Sequence, residues 1–97
     1  MAAEQKIINN KKLMQFEIHE GDDVAFLEYR FYKNDIAFMH TEVPESMSGK
    51  GIASSLAEYA FKFAQELGKP VMVYCPFVAS YLKKHPEYDF LVDKTYR

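Results

Sequence analysis

Three of the four glycines in this 97-residue chain bracket one stretch of helical periodicity, and that bracket constrains the fold more than any other feature. Between Gly51 and Gly68, Ala53, Leu56, Ala57, Ala60, Phe63, Ala64 and Leu67 recur at spacings of three and four. Ser54, Ser55, Glu58, Lys62 and Gln65 fall on the opposite side, so one stripe packs on a sheet. Gly68 takes the position just past the helix and Pro70 blocks its continuation, after which Val71 to Cys75 reads as a short buried strand. Upstream, Ile36 to Val43 is apolar on both faces, as expected inside a sheet, and Pro44 ends it. Strand, helix and strand in that order predict a right-handed crossover with the two strands parallel.

The chain before this unit reads as antiparallel. From Leu13 to His19, Met14, Phe16 and Ile18 alternate with Gln15, Glu17 and His19, and Gly21-Asp22-Asp23 then turns the chain. Ala25, Leu27, Tyr29 and Phe31 share one face of a second strand over Val24 to Tyr32, and Lys33-Asn34-Asp35 is the next turn. After Pro76, the residues Phe77, Val78, Tyr81 and Leu82 suit a two-turn helix that stops near His85, because Pro86 disfavours helical geometry in the residue before it. Glu87 to Val92 is expected to add a last edge strand. The fold class is therefore α/β (α+β) in one domain, residues 1–97. A mixed sheet has antiparallel N-terminal strands, a βαβ unit with a parallel pair, and a short C-terminal helix.

Composition narrows the function. Twelve basic against fourteen acidic side chains offer no broad positive field, so nucleic acid is not the expected partner. The longest uncharged stretch, Pro70 to Leu82, contains a proline and is too short to span a bilayer. The N-terminal residues lack the pattern of a secretion signal and Cys75 is the only cysteine, which points to the cytoplasm. His19, His40 and His85 are too widely spaced for a structural zinc site, and no metal is expected. A monomer or weak dimer is expected.

Two glycines at a helix start exceed what capping needs, since Ser46 or Ser48 already supplies a cap. In Ser48-Gly49-Lys50-Gly51-Ile52-Ala53 the missing side chains let a ligand approach the main chain, where the unpaired amides of the first turn suit a diphosphate. The triphosphate loop G-x-x-x-x-G-K-[ST] fails on spacing because Lys50 lies between the glycines. The dinucleotide fingerprint G-x-G-x-x-G would have Ser54 as its third glycine, and too little chain remains for that fold. The coenzyme A pattern [QR]-x-x-G-x-[GA] matches at Gly51 and Ala53, with Ser48 in place of the leading Gln or Arg.

With Met39-His40-Thr41-Glu42-Val43-Pro44, Gly49-Lys50-Gly51-Ile52-Ala53, Tyr74-Cys75-Pro76 and His85-Pro86-Glu87-Tyr88, the chain resembles the GNAT acetyltransferase superfamily, in its minimal single-domain YjdJ-type branch. The resemblance covers Leu13 to Tyr88. It implies that acetyl-CoA lies between the parallel strands, its pyrophosphate on the amides of Gly49, Lys50, Gly51, Ile52, Ala53 and Ser54. The pantetheine arm then runs beside Thr41, Glu42 and Val43. Ser48 offers a short neutral hydroxyl where relatives carry Arg or Gln, which weakens one phosphate contact. An amine, in a small molecule or a protein, is the implied acceptor; a coenzyme A binding or sensing module without turnover is the alternative. A third reading is a structural adaptor whose glycines serve only close packing.

Acetyl transfer needs a neutral nucleophile, a group to polarise the thioester and a proton source for the thiolate. His40, where the central strand nears the cofactor, serves as a base or is a buried, hydrogen-bonded strand histidine. Cys75 ends the second parallel strand; it accepts an acyl group, pairs with the coenzyme thiol on oxidation, or is a small core residue. The superfamily usually transfers acetyl directly. Tyr81 protonates the leaving thiolate, as a tyrosine in a comparable helix does in many relatives, or packs in the core. Glu42 alternates onto the His40 face and orients that ring or is solvated. Lys50 meets a phosphate or only solvent. Lys83, Lys84 and His85 are the basic end of a short helix or meet the 3′-phosphate.

Overall fold

The structure is a computed structural model that describes residues 6–94. Five strands form one sheet in sequence order: β1 (Ile8–Asn10), β2 (Gln15–Glu20), β3 (Asp23–Tyr32), β4 (Asp35–Glu42) and β5 (Val71–Val73). The first four are antiparallel neighbours and β4 pairs parallel with β5. Helix α1 (Ile52–Leu67) makes the crossover, and α2 (Pro76–Lys84) follows β5. This is the mixed α/β architecture expected from the periodicities.

Local chemistry explains the turns. Glu20 pairs with Asp23 around Gly21-Asp22, and Tyr32 with Asp35 around Lys33-Asn34. The first turn residue has positive φ in each, 61° at Gly21 and 55° at Lys33, as two-residue hairpins with right-handed strand twist require. Strand β2 begins two residues later than its alternation suggests, because Met14 takes φ 58° in the turn from β1. β1 itself, three residues with no alternation to display, is an element the periodicity did not predict.

The core lies between one sheet face and α1. Phe16, Leu27, Tyr29, Ile36 and Phe38 pack against Leu56, Ala57, Ala60, Phe61 and Ala64. The buried stripe of α1 is broader than the expected one: Phe61 is fully enclosed, whereas Leu67 is largely exposed. Phe61 needs its own neighbours, and it has them. Its ring meets Phe38 edge-on at 5.4 Å and stacks on Tyr88 at 5.1 Å. Phe31, expected in the core, is exposed at the sheet end with Lys69 Nζ 5.6 Å from its ring centre.

Two further expectations are corrected. Glu87 to Val92 is not an edge strand: Pro86–Leu91 is a 3₁₀ segment. The tight turns carry Tyr88 onto Phe61, and only Val92 bridges Val71. Cys75 does not end β5, which stops at Val73; it caps α2, whose Pro76 fits the first helical position.

Candidate functional site

The site begins where β4 and β5 part. They pair only over Ile36 to Phe38 with Val71 to Val73. The Phe38 carbonyl then accepts two amides, Tyr74 N–H at 3.0 Å and Cys75 N–H at 3.1 Å, and the chain turns away into α2. Beyond Phe38, β4 runs on beside β3 alone, so its other edge from Met39 to Glu42 has no strand partner among the described residues. A bulge sits at the same point: Glu28 faces His40 and Tyr29 faces Phe38, leaving Met39 as the extra residue. Met39 is consequently 38% exposed instead of covering the sheet's second face.

The bulge and the pleat sort the candidate residues. Thr41 registers with buried Leu27 and faces the helices. Its hydroxyl accepts a hydrogen bond from the Cys75 thiol at 3.3 Å, which brings those two predicted residues together. His40 and Glu42 lie on the opposite face beside Phe26, with His40 Nε2 3.2 Å from Glu42 Oε1. His40 is exposed rather than buried, and Glu42 is positioned to orient its ring. Tyr81, 7% exposed, belongs to an aromatic column with His85 at 4.2 Å and Phe61 at 6.1 Å. Burial, reinforced by the nearby Glu58, Tyr88 and Glu87, pushes its phenol up to about 12. It is therefore a protonated donor across the physiological range.

Val43, partly buried against the core, leads through Pro44 and a 3₁₀ turn at Glu45–Met47 to the glycines. Met47 anchors this turn in the core. Gly51, with φ 73°, is the residue that caps α1, without any side-chain hydrogen bond. The serines have other tasks: Ser48 Oγ donates to the Glu45 carbonyl at 2.8 Å, and Ser46 Oγ donates to the Asp23 carboxylate. Left-handed φ values of 79° at Gly49 and 73° at Gly51 give both glycines a conformational reason that the sequence reading lacked. A Cβ at either would meet nothing within 4 Å, so the space before the helix is open. Within α1 the first bond is Ser55 N–H to Gly51 C=O at 3.0 Å. The amides of Ile52, Ala53 and Ser54 precede it and have no acceptor inside the helix. The Ile52 side chain itself is in the core, so only its main chain faces the opening.

Lys50 reaches across to Glu20, Nζ to Oε1 at 3.0 Å, rather than standing free. Glu20 and Asp23 thus join the site, although the sequence reading gave Asp23 only a turn and Glu20 no element. The contacts span 30 and 23 residues, and no local pattern announces them.

The candidate site thus comprises a helix start with three main-chain donors outside the helix ladder, a strand edge, and a Cys75–Thr41 contact where β4 and β5 part. Among the described residues, no group of three or more His, Cys, Asp or Glu is arranged to hold a metal ion.

Comparison with known proteins places the fold and the family. The model of GCN5-related N-acetyltransferases matches residues 15–91. Protein NATD1 of Danio rerio is 32% identical over 89 residues, covering 89% of this chain and 81% of that protein. The Homo sapiens NATD1 is 30% identical over 84 residues, covering 84% and 74%. A GCN5-like protein from Staphylococcus aureus, solved by NMR, shares the fold with a TM-score of 0.73 at 24% identity, covering 92% of this chain and 88% of its own. The chain belongs to the GCN5-related N-acetyltransferase (GNAT) family.

Proposed function

We propose that the protein binds acetyl-coenzyme A at the glycine loop and transfers the acetyl group to an amine. The observation that carries this reading is the parting of β4 and β5 after Phe38 and Val73, with free helix amides at one end of the opened edge. The residues fit the cofactor. Open space lies before Gly49 and Gly51, three main-chain donors from Ile52 to Ser54 are free of the helix ladder, and the helix dipole adds its positive end. Bound there, the thioester supplies an activated acetyl group.

The chain's own residues would do the following. The amides of Gly49 to Ser54 hold the diphosphate, and the unpaired edge at Thr41, Glu42 and Val43 accepts the pantetheine arm by strand-like pairing. His40, oriented by Glu42, takes a proton from the attacking amine. Tyr81, present as the neutral phenol, returns a proton to the departing thiolate. Cys75, hydrogen-bonded to Thr41, supports the wall of the cleft. The free thiol of Cys75 suits the reducing cytoplasm.

A second reading, a coenzyme A binding module without turnover, is favoured by one observation. His40 and Tyr81 do not share a surface: one is exposed beyond the bulge and the other enclosed in the aromatic column. Incubating the protein with acetyl-CoA and panels of amines and peptides, and following free thiol, tests the enzyme. Thiol release above buffer with an amine is expected. Binding without release with any acceptor leaves only the module, and a melting curve unmoved by millimolar coenzyme A removes both.

A further inference from the structure

Resting on the coenzyme A reading, we propose that the β2–β3 turn positions the anion site, and that Glu20 and Asp23 are positioning residues which hold the glycine loop open and take Lys50 out of direct phosphate contact. Glu20 and Asp23 are the pair that closes the Gly21-Asp22 turn. Each grips one end of the same short segment: Asp23 accepts from Ser46 Oγ, and Glu20 pairs with Lys50 at 3.0 Å. Between these two grips Met47 is fully buried. The segment is therefore fixed at three points, and the left-handed Gly49 lies between the last two of them. Gly51, the residue that caps α1, follows Lys50 directly, so this tie sits at the entry to the helix start.

The electrostatics support the same assignment. The Lys50 ammonium is paired with Glu20, a carboxylate of another element. Both side chains of the pair are half-exposed, so it contributes little to global stability, and its effect is local order. Preordering a loop in its binding conformation improves affinity by reducing what must be frozen when the ligand arrives. The turn thus acts through the loop and touches no ligand itself.

The test uses the full chain and two readouts, backbone amide NMR order parameters without ligand and coenzyme A affinity by calorimetry. Glu20→Gln and Lys50→Gln are each expected to lower the order parameters of residues 49–54 while leaving those of β2 to β4 unchanged, which also certifies folding. Each should weaken coenzyme A about two- to fivefold, the range an exposed pair supports. The swapped double variant, Glu20→Lys with Lys50→Glu, should restore the loop order parameters and bring affinity back to near the parent. If Lys50 instead touched phosphate, the swap would restore loop order but worsen binding, and the proposal would fall. Unchanged loop order parameters in both single variants would also overturn it. Should the parent bind no coenzyme A, the functional reading fails while the relaxation measurement still decides the strut.

Discussion

The thiol of Cys75 donates to the hydroxyl of Thr41 at 3.3 Å, across the point where two parallel strands separate. The contact joins the residue that caps α2 to the unpaired stretch of β4, and it buries the thiol to 3% exposure. Nucleophilic cysteines are activated by an adjacent base or cation, and Thr41 is neither. On the proposed function the acetyl group passes directly to the amine, with Cys75 as part of the wall.

That assignment separates three variants. Cys75→Ala should keep turnover within about threefold of the parent, since it removes no proton carrier. His40→Ala should lower kcat by about 10²-fold or more with coenzyme A affinity retained, as loss of a general base does. Tyr81→Phe should lower kcat similarly, and the parent should show no basic limb from Tyr81 below about pH 10, because burial pushes that phenol up to about 12. Steady-state kinetics at saturating acetyl-CoA decide it, and a dead Cys75→Ala enzyme with normal binding would instead indicate an acyl-enzyme.

Gly51→Ala should damage both stability and binding although nothing blocks the new methyl group. A left-handed φ of 73° costs a side-chain-bearing residue about 1–2 kcal/mol, with no steric contact needed to explain it. For a domain of this size that corresponds to a fall of roughly 4–16 °C in Tm. Thermal melts with and without coenzyme A measure both effects. A parent-like melting curve would show that the conformation at Gly51 is not required.

Asp35 gives the clearest pH prediction. Its hydrogen bond with Asp93, then burial, then the Asp93 charge raise its carboxyl above the usual range, opposed by Lys69. A raised folded pKa means the stabilising form is the protonated one. That contribution is complete below the unfolded value near 3.8 and is lost as pH climbs through the folded one. Asp35→Asn should therefore raise Tm at pH 7, with the gain shrinking toward pH 4. Melts across that range check it, and a neutral-pH loss would mean that the charged pair is accommodated.

Much of the fold was legible because it is written in short periods. The α1 stripe, its Gly68 terminator and the Ile36 to Phe38 strand follow from spacings within a few residues of each other. What stayed hidden depends on partners distant in sequence. β1 is too short to show alternation, and Met39 is turned outward by a bulge that no pattern of apolar residues marks. The burial of Phe61 depends on Tyr81 and Tyr88, which arrive 20 and more residues later. At the site, the glycine loop was visible as composition, but its reason was not: positive φ at Gly49 and Gly51 is a conformational fact. The ties from Ser46 and Lys50 to Asp23 and Glu20 belong only to the folded chain.

The most direct measurement is a coenzyme A titration followed by backbone amide NMR of the uniformly labelled chain. Amides of Gly49 to Ser54 should move most, joined by Met39 to Val43 along the unpaired edge, while the β1–β2 pair stays still. Shifts confined to other surfaces, with the helix-start amides unmoved at saturation, would contradict the claim that free main-chain donors there receive the diphosphate.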